Sequence, residues 1–300
     1  MGLSNLGLRL IAETMRDKNL SGSCMTFGIS GIEGEYKDLE RVLSEANYPY
    51  KKLDESDMVY DDATQFGRTV HQDVPFKMLG FSRVDSLDYF PNENPTYVID
   101  LNKSIDSKYH GQYDMVFDGG TSEHCFNVRE SLSNVIKLLK IGGRVVHAVP
   151  LSGWINHGFY QFSPTLFFDF YGINGFVELE AKIIVHKPSM LGASYFDYNP
   201  SAFFPMDFKG KRAILFFTAK KNVDVKEILN PIQGFYNGVF GGKQQSAGIA
   251  TREKLKRKVE SLRKFSPVLY KMMIGLYFRV GRLVRDFYSY KLLIMAKRIT

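Results

Sequence analysis

The sequence has little cysteine and tryptophan and no long apolar run. Its 300 residues include two cysteines, Cys24 and Cys125, and one tryptophan, Trp154. Two cysteines this far apart in the sequence offer neither a disulfide framework nor a cysteine-rich metal site. No run of about 18 uncharged apolar residues is present, and residues 1–19 lack the apolar segment of a signal peptide. We therefore expect a cytoplasmic protein without a membrane-spanning helix.

The positive charge of the chain is concentrated at its C-terminal end. The formal net charge is +7, but residues 251–300 contain 14 Lys and Arg against 3 Asp and Glu, a net of +11, which leaves −4 for residues 1–250. A nucleic-acid-binding domain should present a basic surface, whereas this larger part of the chain is mildly acidic. No nucleic-acid-binding motif is found either, so we expect no nucleic-acid partner.

A strand and a glycine turn are predicted near the middle of the sequence. Residues 114–117 form a short apolar run that predicts a buried strand, and Asp118, Gly119 and Gly120 follow it directly. Glycine lets the backbone turn sharply and approach a ligand closely. A polar group is therefore expected at the end of this strand, beside a backbone that a ligand can reach.

A helix and a second strand are predicted after this turn. Between residues 128 and 139 apolar side chains recur at the three-and-four spacing that places them on one helical face. The glycines at 142–143 predict the end of the helix, and residues 144–149 predict a parallel strand that stops at Pro150. By similar patterns, further strands are predicted over residues 24–29, 83–87, 97–99, 177–186 and 213–219, and further helices over residues 8–15, 35–46 and 164–171.

The order of these motifs resembles that of the class I S-adenosylmethionine-dependent methyltransferases. In that family an acidic residue follows the fourth strand, a Glu-His pair often comes a few residues later, and Leu-Leu-Lys-x-Gly-Gly precedes the fifth strand. Asp118, the pair Glu123-His124 and residues 138–143 match this order. The resemblance covers roughly residues 23–221. It implies an α/β fold with a Rossmann-like, mostly parallel seven-stranded sheet, helices on both faces and an antiparallel edge strand.

The resemblance also implies S-adenosylmethionine as cofactor, bound at the carboxyl ends of the first four strands. The glycine turn after the first strand would pass under the methionine, the acid after the second strand would accept the ribose hydroxyls, and the third strand would end near the adenine. The implied contacts are Gly28, Ser30, Gly31, Asp88, Asp100, Leu101, Asp118 and Gly119. The glycines of residues 28–34 are more widely spaced than in the family, so this segment also fits an ordinary strand-to-helix turn.

Two histidines lie where the acceptor of the methyl group should bind. His124 follows Glu123 in the loop after the fourth strand, and His157 lies in the loop after the fifth. A hydroxyl must lose its proton as it attacks a methyl group, and a neutral imidazole is the usual base. We predict metal-independent O-methylation with His157 or His124 as the base beside Glu123, and no metal site. His124 also fits a residue that only structures its loop.

The acceptor is the least determined part of the prediction. Aromatic residues are frequent over residues 154–162 and 195–204, which suits the faces of sugar rings and suits core packing equally well. By analogy with bacterial enzymes that methylate surface polysaccharides, we predict a saccharide, lipid-linked or small-molecule hydroxyl and a role in polysaccharide biosynthesis. The alternative is a non-catalytic binding or scaffold protein that kept this fold and lost its cofactor.

Four segments are predicted along the chain. Residues 1–20 form a leading helix, 21–222 the methyltransferase-like α/β domain, 223–250 a linker and 251–300 a basic amphipathic helical tail. An apolar helix face edged by cations suits an anionic membrane surface, so the protein would be peripheral at the inner face of the membrane. The same face could instead pack on the body of the protein or on a second copy, which would give a homo-oligomer.

Overall fold

The structure is a computed structural model. It describes residues 3–16, 18, 21–29, 32, 35–54, 60–64, 67–186, 193–200, 208, 210–234 and 297–298. Two residues of the predicted cofactor loop, Ser30 and Gly31, lie outside the described residues. So does nearly all of the predicted tail, together with residues 235–250 of the predicted linker.

Five α-helices are present in the described part of the chain. They are α1 (Asn5–Met15), α2 (Tyr36–Glu45), α3 (Asp73–Met78), α4 (Val128–Leu138) and α5 (Pro164–Ile173). Side chains that accept hydrogen bonds from the first turn explain where two of them begin. Ser4 accepts from Gly7 N at the start of α1, and Asn127 accepts from Glu130 N at the start of α4. No helix in the described part of the chain is both long and apolar enough to cross a membrane.

The strands form one large sheet and one short hairpin. The strands are β1 (Gly22–Phe27), β2 (Tyr60–Thr64), β3 (Gly67–Val70), β4 (Phe81–Asp88), β5 (Tyr97–Val98), β6 (Tyr113–Asp118), β7 (Leu139–Ser152), β8 (Phe176–His186), β9 (Ala193–Asp197), β10 (Ala213–Lys221) and β11 (Lys297–Arg298). Only β2 and β3 pair apart from the others. The hairpin lies within a polar stretch whose sequence pattern predicts neither a strand nor a helix.

The large sheet has nine strands in the order β11-β9-β8-β10-β7-β6-β1-β4-β5. From β5 to β7 all neighbours are parallel, whereas β10 is antiparallel to both β7 and β8. This topology confirms the predicted mostly parallel sheet with an antiparallel strand towards one edge. The seven predicted strands are all present, and β9 and β11 extend the sheet beyond them.

The two additional strands lie where the sequence predicts no strand. Residues 193–197 overlap the aromatic-rich stretch of residues 195–204, and they form β9, in which Ala193 and Tyr195 are buried on alternate positions. Burial at every second position is the pattern of a half-buried strand. The many aromatic residues of this stretch hide that pattern in the sequence. Lys297 and Arg298, two residues of the segment predicted as a helical tail, pair with β9 as β11.

The predicted turn at Gly142 and Gly143 is a bulge inside β7. The helix ends at Leu138, and β7 begins at the next residue and continues through Pro150 to Ser152. Tyr113 of β6 pairs with Leu139 of β7, and Met115 pairs with Arg144. Between these two pairs β7 contains more residues than β6, so the glycines are extra residues of the strand. Gly142 has a φ of 87°, a conformation that favours glycine.

Helices cover both faces of the sheet, as predicted. One buried cluster contains side chains of α1, α2 and α3, among them Leu8, Leu39 and Phe76. The other contains side chains of α4 and α5, among them Val135 and Phe167. Because both faces are covered, the central strands are apolar on both sides. Polar groups can lie at the edge of the sheet where the carboxyl ends of the parallel strands meet.

Candidate functional site

The carboxyl ends of β5, β4, β1 and β6 meet at one edge of the sheet because these four strands are parallel neighbours. Phe27, the last residue of β1, pairs with Leu87 of β4 on one side and with Asp118 of β6 on the other. The next residue, Gly28, therefore lies between Asp88 and the turn that follows β6. The pairing register brings together strand-end residues that are far apart in the sequence.

Gly28 is closely surrounded by residues from both neighbouring strands. Its φ is 72°, and its N–H donates to Leu87 O at 2.8 Å. A Cβ at this position would lie 2.6 Å from Thr121 Oγ1 and 3.7 Å from Asp88 Oδ2. Thr121 is held there because its hydroxyl donates to Phe27 O at 2.8 Å. Only glycine fits this turn, and one oxygen of Asp88 faces it.

The carboxylates of Asp88 and Asp100 are oriented by hydrogen bonds at their own strand ends. Asp88 Oδ1 accepts from Phe90 N at 2.9 Å, and Asp100 Oδ1 accepts from the backbone and side-chain nitrogens of Asn102. The side-chain hydrogen bond from Asn102 is the main cause that holds the pKa of Asp100 below its usual value. Leu101 is buried, so only its backbone can face a ligand.

Exposed apolar side chains flank these two acids. Tyr89, Phe90 and Val98 are each more than half exposed: 58 %, 61 % and 56 %. They follow β4 directly or end β5, so they line the same edge of the sheet as Asp88 and Asp100. None of the three was predicted as a site residue. The sequence nevertheless indicates two of them. Tyr89 and Phe90 directly follow the acid that ends a strand, which is a position outside the core.

Asp118, by contrast, is completely buried. Its Oδ1 accepts from the backbone N–H groups of Gly120, Thr121 and Ser122, at 3.3, 2.9 and 3.3 Å. Its Oδ2 lies 2.8 Å from His147 Nδ1. Burial alone would raise the pKa of Asp118, but the hydrogen bond from His147 and those from its own turn lower it. The side chain therefore has no exposed surface with which to contact a bound molecule, although Gly119 and Gly120 in its turn lie beside Gly28.

His147 and Tyr171 complete a buried chain of hydrogen bonds that the sequence did not predict. His147 Nε2 lies 2.7 Å from the Tyr171 hydroxyl, and neither side chain is exposed. Burial raises the pKa of Tyr171 well above its usual value, so its hydroxyl donates to His147, whose other nitrogen then donates to Asp118. The register that pairs Asp118 with His147 creates this contact, so no local sequence pattern could reveal it.

The three predicted catalytic residues come together. Glu123 lies in a 3-10 turn, Ser122–His124, and one of its oxygens, Oε1, is 3.5 Å from His157 Nε2 and 4.0 Å from His124 Nε2. Glu123 is completely buried, and neither carboxylate oxygen has a hydrogen-bond partner among the described residues. Burial, and then the charge of Asp118, raise the pKa of Glu123 to about 8. Burial also lowers the pKa values of both histidines.

The segment that carries His157 is held against the Glu123 turn. Glu123 O accepts from the N–H groups of Phe159 at 2.8 Å and Tyr160 at 3.3 Å. A Cβ on Gly158 would lie 2.9 Å from both Glu123 Cγ and Glu123 O, so the two segments touch directly. Trp154 anchors the other end of the segment, because its indole N–H donates to Ala213 O. The catalytic residues predicted from two distant loops thus form one cluster.

Glu123, His124 and His157 each offer one ligand atom, and these atoms lie within 4.8 Å of one another. Two imidazole nitrogens and a carboxylate oxygen are donors that bind divalent transition metals. The sequence led us to expect no metal site, and only the folded chain brings these donors together.

No protein-family model matches the chain, and no curated protein matches it. Among solved structures, the chain is similar to a SAM-dependent methyltransferase, possible histamine N-methyltransferase, from Thermotoga maritima, with 10 % identity, a TM-score of 0.39, and 73 % of this chain and 90 % of that chain covered. It is similar to the YcgJ protein from Bacillus subtilis, with 9 % identity, a TM-score of 0.39, and 72 % and 99 % covered.

A third similar structure is phosphoethanolamine N-methyltransferase 2 of Haemonchus contortus in complex with S-adenosyl-L-methionine. The identity is 14 %, the TM-score is 0.37, and 72 % of this chain and 52 % of that chain are covered. Similarity at this level carries no argument about the activity or the ligands of this chain.

Proposed function

We propose that this protein is an S-adenosylmethionine-dependent methyltransferase. The observation that supports it most directly is the position of Gly28 between Asp88 and the turn of Thr121, at the carboxyl edge of a parallel sheet. A side-chain-free backbone beside a carboxylate oxygen suits a ligand that carries both a charged amino-acid end and hydroxyl groups.

The residues at this edge fit such a ligand. In the proposal, Asp88 Oδ2 accepts the ribose hydroxyls, and the backbone of Gly28, Ser30 and Gly31 passes under the methionine. Asp100 and the backbone of Leu101 lie near the adenine, with the exposed Val98 against its face. At the end of β6 the contact comes from the backbone of Gly119, since the Asp118 side chain is buried. When bound, the cofactor supplies an electrophilic methyl group on a sulfonium.

The acceptor in this proposal is a hydroxyl of a saccharide, a lipid-linked molecule or a small molecule. Its supports are the cluster of Glu123, His124 and His157, where a hydroxyl can lose its proton, and the apolar side chains around it. Phe126 and Phe159 are 73 % and 66 % exposed and pack edge to face at 5.7 Å. Exposed aromatic faces beside polar groups are suited to sugar rings. A role in polysaccharide biosynthesis follows from this acceptor class.

Titration calorimetry with S-adenosylmethionine and S-adenosylhomocysteine tests the cofactor. Both should bind, and Asp88→Ala should weaken binding by about 1–3 kcal/mol, because it leaves ligand hydroxyls without their acceptor. Asp197→Ala is the matched control, since Asp197 is an exposed acid on β9, at the other edge of the sheet, and should bind as the wild type does.

If neither ligand binds at millimolar concentration, the methyltransferase proposal is wrong. The protein would then fit the alternative function, a binding or scaffold protein that has this fold and no cofactor. Equal affinity of the Asp88→Ala and wild-type proteins would leave the cofactor in place but reject the role given to Asp88.

We further propose that residues 251–300 attach the protein to an anionic membrane surface. Their net charge of +11 and the helical spacing of apolar residues and cations over residues 268–287 support this. Such attachment would place the enzyme at the inner face of the membrane, next to lipid-linked acceptors. The competing role is contact with a second copy of the chain, which liposome binding separates from membrane attachment.

A further inference from the structure

Glu123 is a buried carboxyl group without a hydrogen-bond partner among the described residues. None of its surface is exposed, and neither of its oxygens has a hydrogen-bond partner among the described residues. Burying a carboxylate is costly unless it is paired with a charge, accepts hydrogen bonds or coordinates a metal. Native proteins rarely leave such a group unsatisfied, and an unsatisfied one calls for an explanation such as an ion.

The atoms that face Glu123 are ligand nitrogens. His157 Nε2 is buried and also lacks a hydrogen-bond partner among the described residues, and it lies 3.5 Å from Glu123 Oε1. His124 Nε2 is 4.0 Å from the same oxygen. Metal–ligand bonds of about 2.1 Å at tetrahedral or octahedral angles place ligand atoms roughly 3.0–3.4 Å apart. Small side-chain rotations would therefore bring the three atoms to the distances of a metal site.

The backbone already holds the donors in this arrangement. His124 directly follows Glu123 in the same 3-10 turn, and the segment of His157 is fixed to that turn by the two hydrogen bonds to Glu123 O. Donors that are positioned before an ion arrives lose little freedom when it binds. The three donors are therefore positioned before an ion binds, as a metal site requires. Three side chains that approach one another by chance would not be held in this way.

We propose that Glu123, His124 and His157 bind one divalent transition-metal ion of the class of Zn²⁺ or Mn²⁺. Two imidazoles and one carboxylate suit such a transition-metal ion better than Mg²⁺, which prefers oxygen ligands and water. Three protein ligands leave at least one coordination position open. The side chain of His124 is 47 % exposed, so the cluster is accessible from solvent. An acceptor oxygen could reach the ion there.

The charges around the cluster partly oppose and partly favour an ion. Arg212, which lies 5.0 Å from the Trp154 ring, is one nearby positive charge. Burial is the largest cause that lowers the pKa of His157, and Arg212 adds to it. The buried Asp118 is the nearby negative charge. Its carboxylate is shared with His147, which leaves Glu123 as the carboxyl group that can bind an ion.

This site changes the catalytic role that the sequence suggested for the histidines. An imidazole that coordinates an ion through Nε2 cannot take a proton at the same atom. The ion would instead make the acceptor hydroxyl more acidic. Metal binding does not depend on the proposed methyl transfer, so the two can be tested separately.

Equilibrium dialysis of the full chain, stripped of metal with a chelator, tests the site. Against micromolar Zn²⁺ or Mn²⁺, followed by elemental analysis, we expect one ion per chain and none with Mg²⁺ at the same concentration. Glu123→Gln and His157→Asn should each weaken binding of the ion by about 100-fold, because each removes a ligand. His110→Asn is the matched control, since His110 lies outside the cluster and is exposed.

Thermal denaturation separates loss of the site from loss of the fold. The metal-free Glu123→Gln protein should melt at or above the wild-type temperature, because it no longer buries an unpaired carboxyl. Added Zn²⁺ should raise the melting temperature of the wild type and not that of Glu123→Gln. Titration of the metal-free protein with S-adenosylmethionine reports on the proposed function independently.

Two results would overturn the proposed metal site. One is a stripped wild-type protein that binds neither Zn²⁺ nor Mn²⁺ in a one-to-one ratio. The other is binding to Glu123→Gln and His157→Asn as tight as to the wild type, which would place the ion elsewhere. In either case the histidines would return to the metal-free role of a base.

Discussion

At the scale of single residues, Asp118, His147 and Tyr171 decide the shape of the turn after β6. Asp118 accepts three backbone hydrogen bonds from this turn, and His147 holds the carboxylate in place from the next strand. The turn leads directly to Thr121, which packs on Gly28, and to Glu123. An acid that resembles a ligand contact in the sequence is therefore a structural anchor for the residues around it.

His147→Leu should destabilise the protein by about 3–5 kcal/mol. The substitution leaves a buried carboxylate without its partner and the Tyr171 hydroxyl without its acceptor. Urea denaturation measures the loss. His110→Leu, an exposed histidine, should change the free energy of unfolding by less than about 0.5 kcal/mol. A loss below about 1 kcal/mol for His147→Leu would mean that Asp118 does not depend on His147.

At the scale of elements, the contact between the Glu123 turn and residues 154–160 assembles the candidate acceptor site. The contact depends on Gly158, because any side chain there would meet the backbone oxygen of Glu123 at 2.9 Å. Both segments follow strands of the parallel part of the sheet, β6 and β7, so their starting points are fixed by the core. Two hydrogen bonds to Glu123 O and the packing of Phe126 on Phe159 also hold the segments together.

Gly158→Ala should separate the two segments with little effect on the rest of the fold. Trp154 is the only tryptophan in the sequence and lies 5.2 Å from the ring of His157, so its fluorescence reports on this segment alone. We expect a shift of its emission to longer wavelength as the ring becomes more exposed, with the urea midpoint changed only slightly.

Gly172→Ala is the control for this experiment. Gly172 lies in α5, where the nearest atom to an added Cβ is Leu179 Cδ2 at 4.0 Å. Alanine there should leave the emission of Trp154 unchanged and gain up to about 1 kcal/mol of stability, the helix preference of alanine over glycine. An emission spectrum of Gly158→Ala identical to the wild-type spectrum would contradict the proposed contact.

At the scale of the whole molecule, the positive charge and the candidate site lie in different parts of the chain. Residues 1–250 have a net charge of −4 and contain all the residues of the candidate site, whereas residues 251–300 have a net charge of +11. Attraction to an anionic surface would therefore act through one end of the chain. Since the acidic larger part is repelled by the same surface, the attachment should be oriented.

Sedimentation with liposomes tests the membrane proposal. The full chain should bind vesicles that contain anionic lipid and not neutral vesicles. Replacement of Arg279, Arg282 and Arg285 with glutamine should weaken binding by about 100-fold, at about 1 kcal/mol for each cation near the surface. Raising the salt concentration should also weaken it, because exposed charges are screened.

A second triple variant controls for total charge. Lys37, Lys51 and Lys52 are exposed cations of the acidic part of the chain, and their replacement with glutamine removes the same charge. This variant should bind anionic vesicles as the wild type does. Negligible binding of the wild type to both vesicle types, or equal weakening by both triple variants, would reject an oriented attachment through residues 251–300.

The sequence by itself determined the order of seven strands and four helices, the parallel sheet and the acids at the strand ends. Each of these follows from local periodicity or from residues at the end of an apolar run, as Asp88 at the end of β4 shows. Only the tertiary structure decided that Asp118 is buried against His147 and that Glu123 meets His157. These contacts join separate strands and loops, and they depend on pairing register and loop packing, which leave no periodic signal in the sequence.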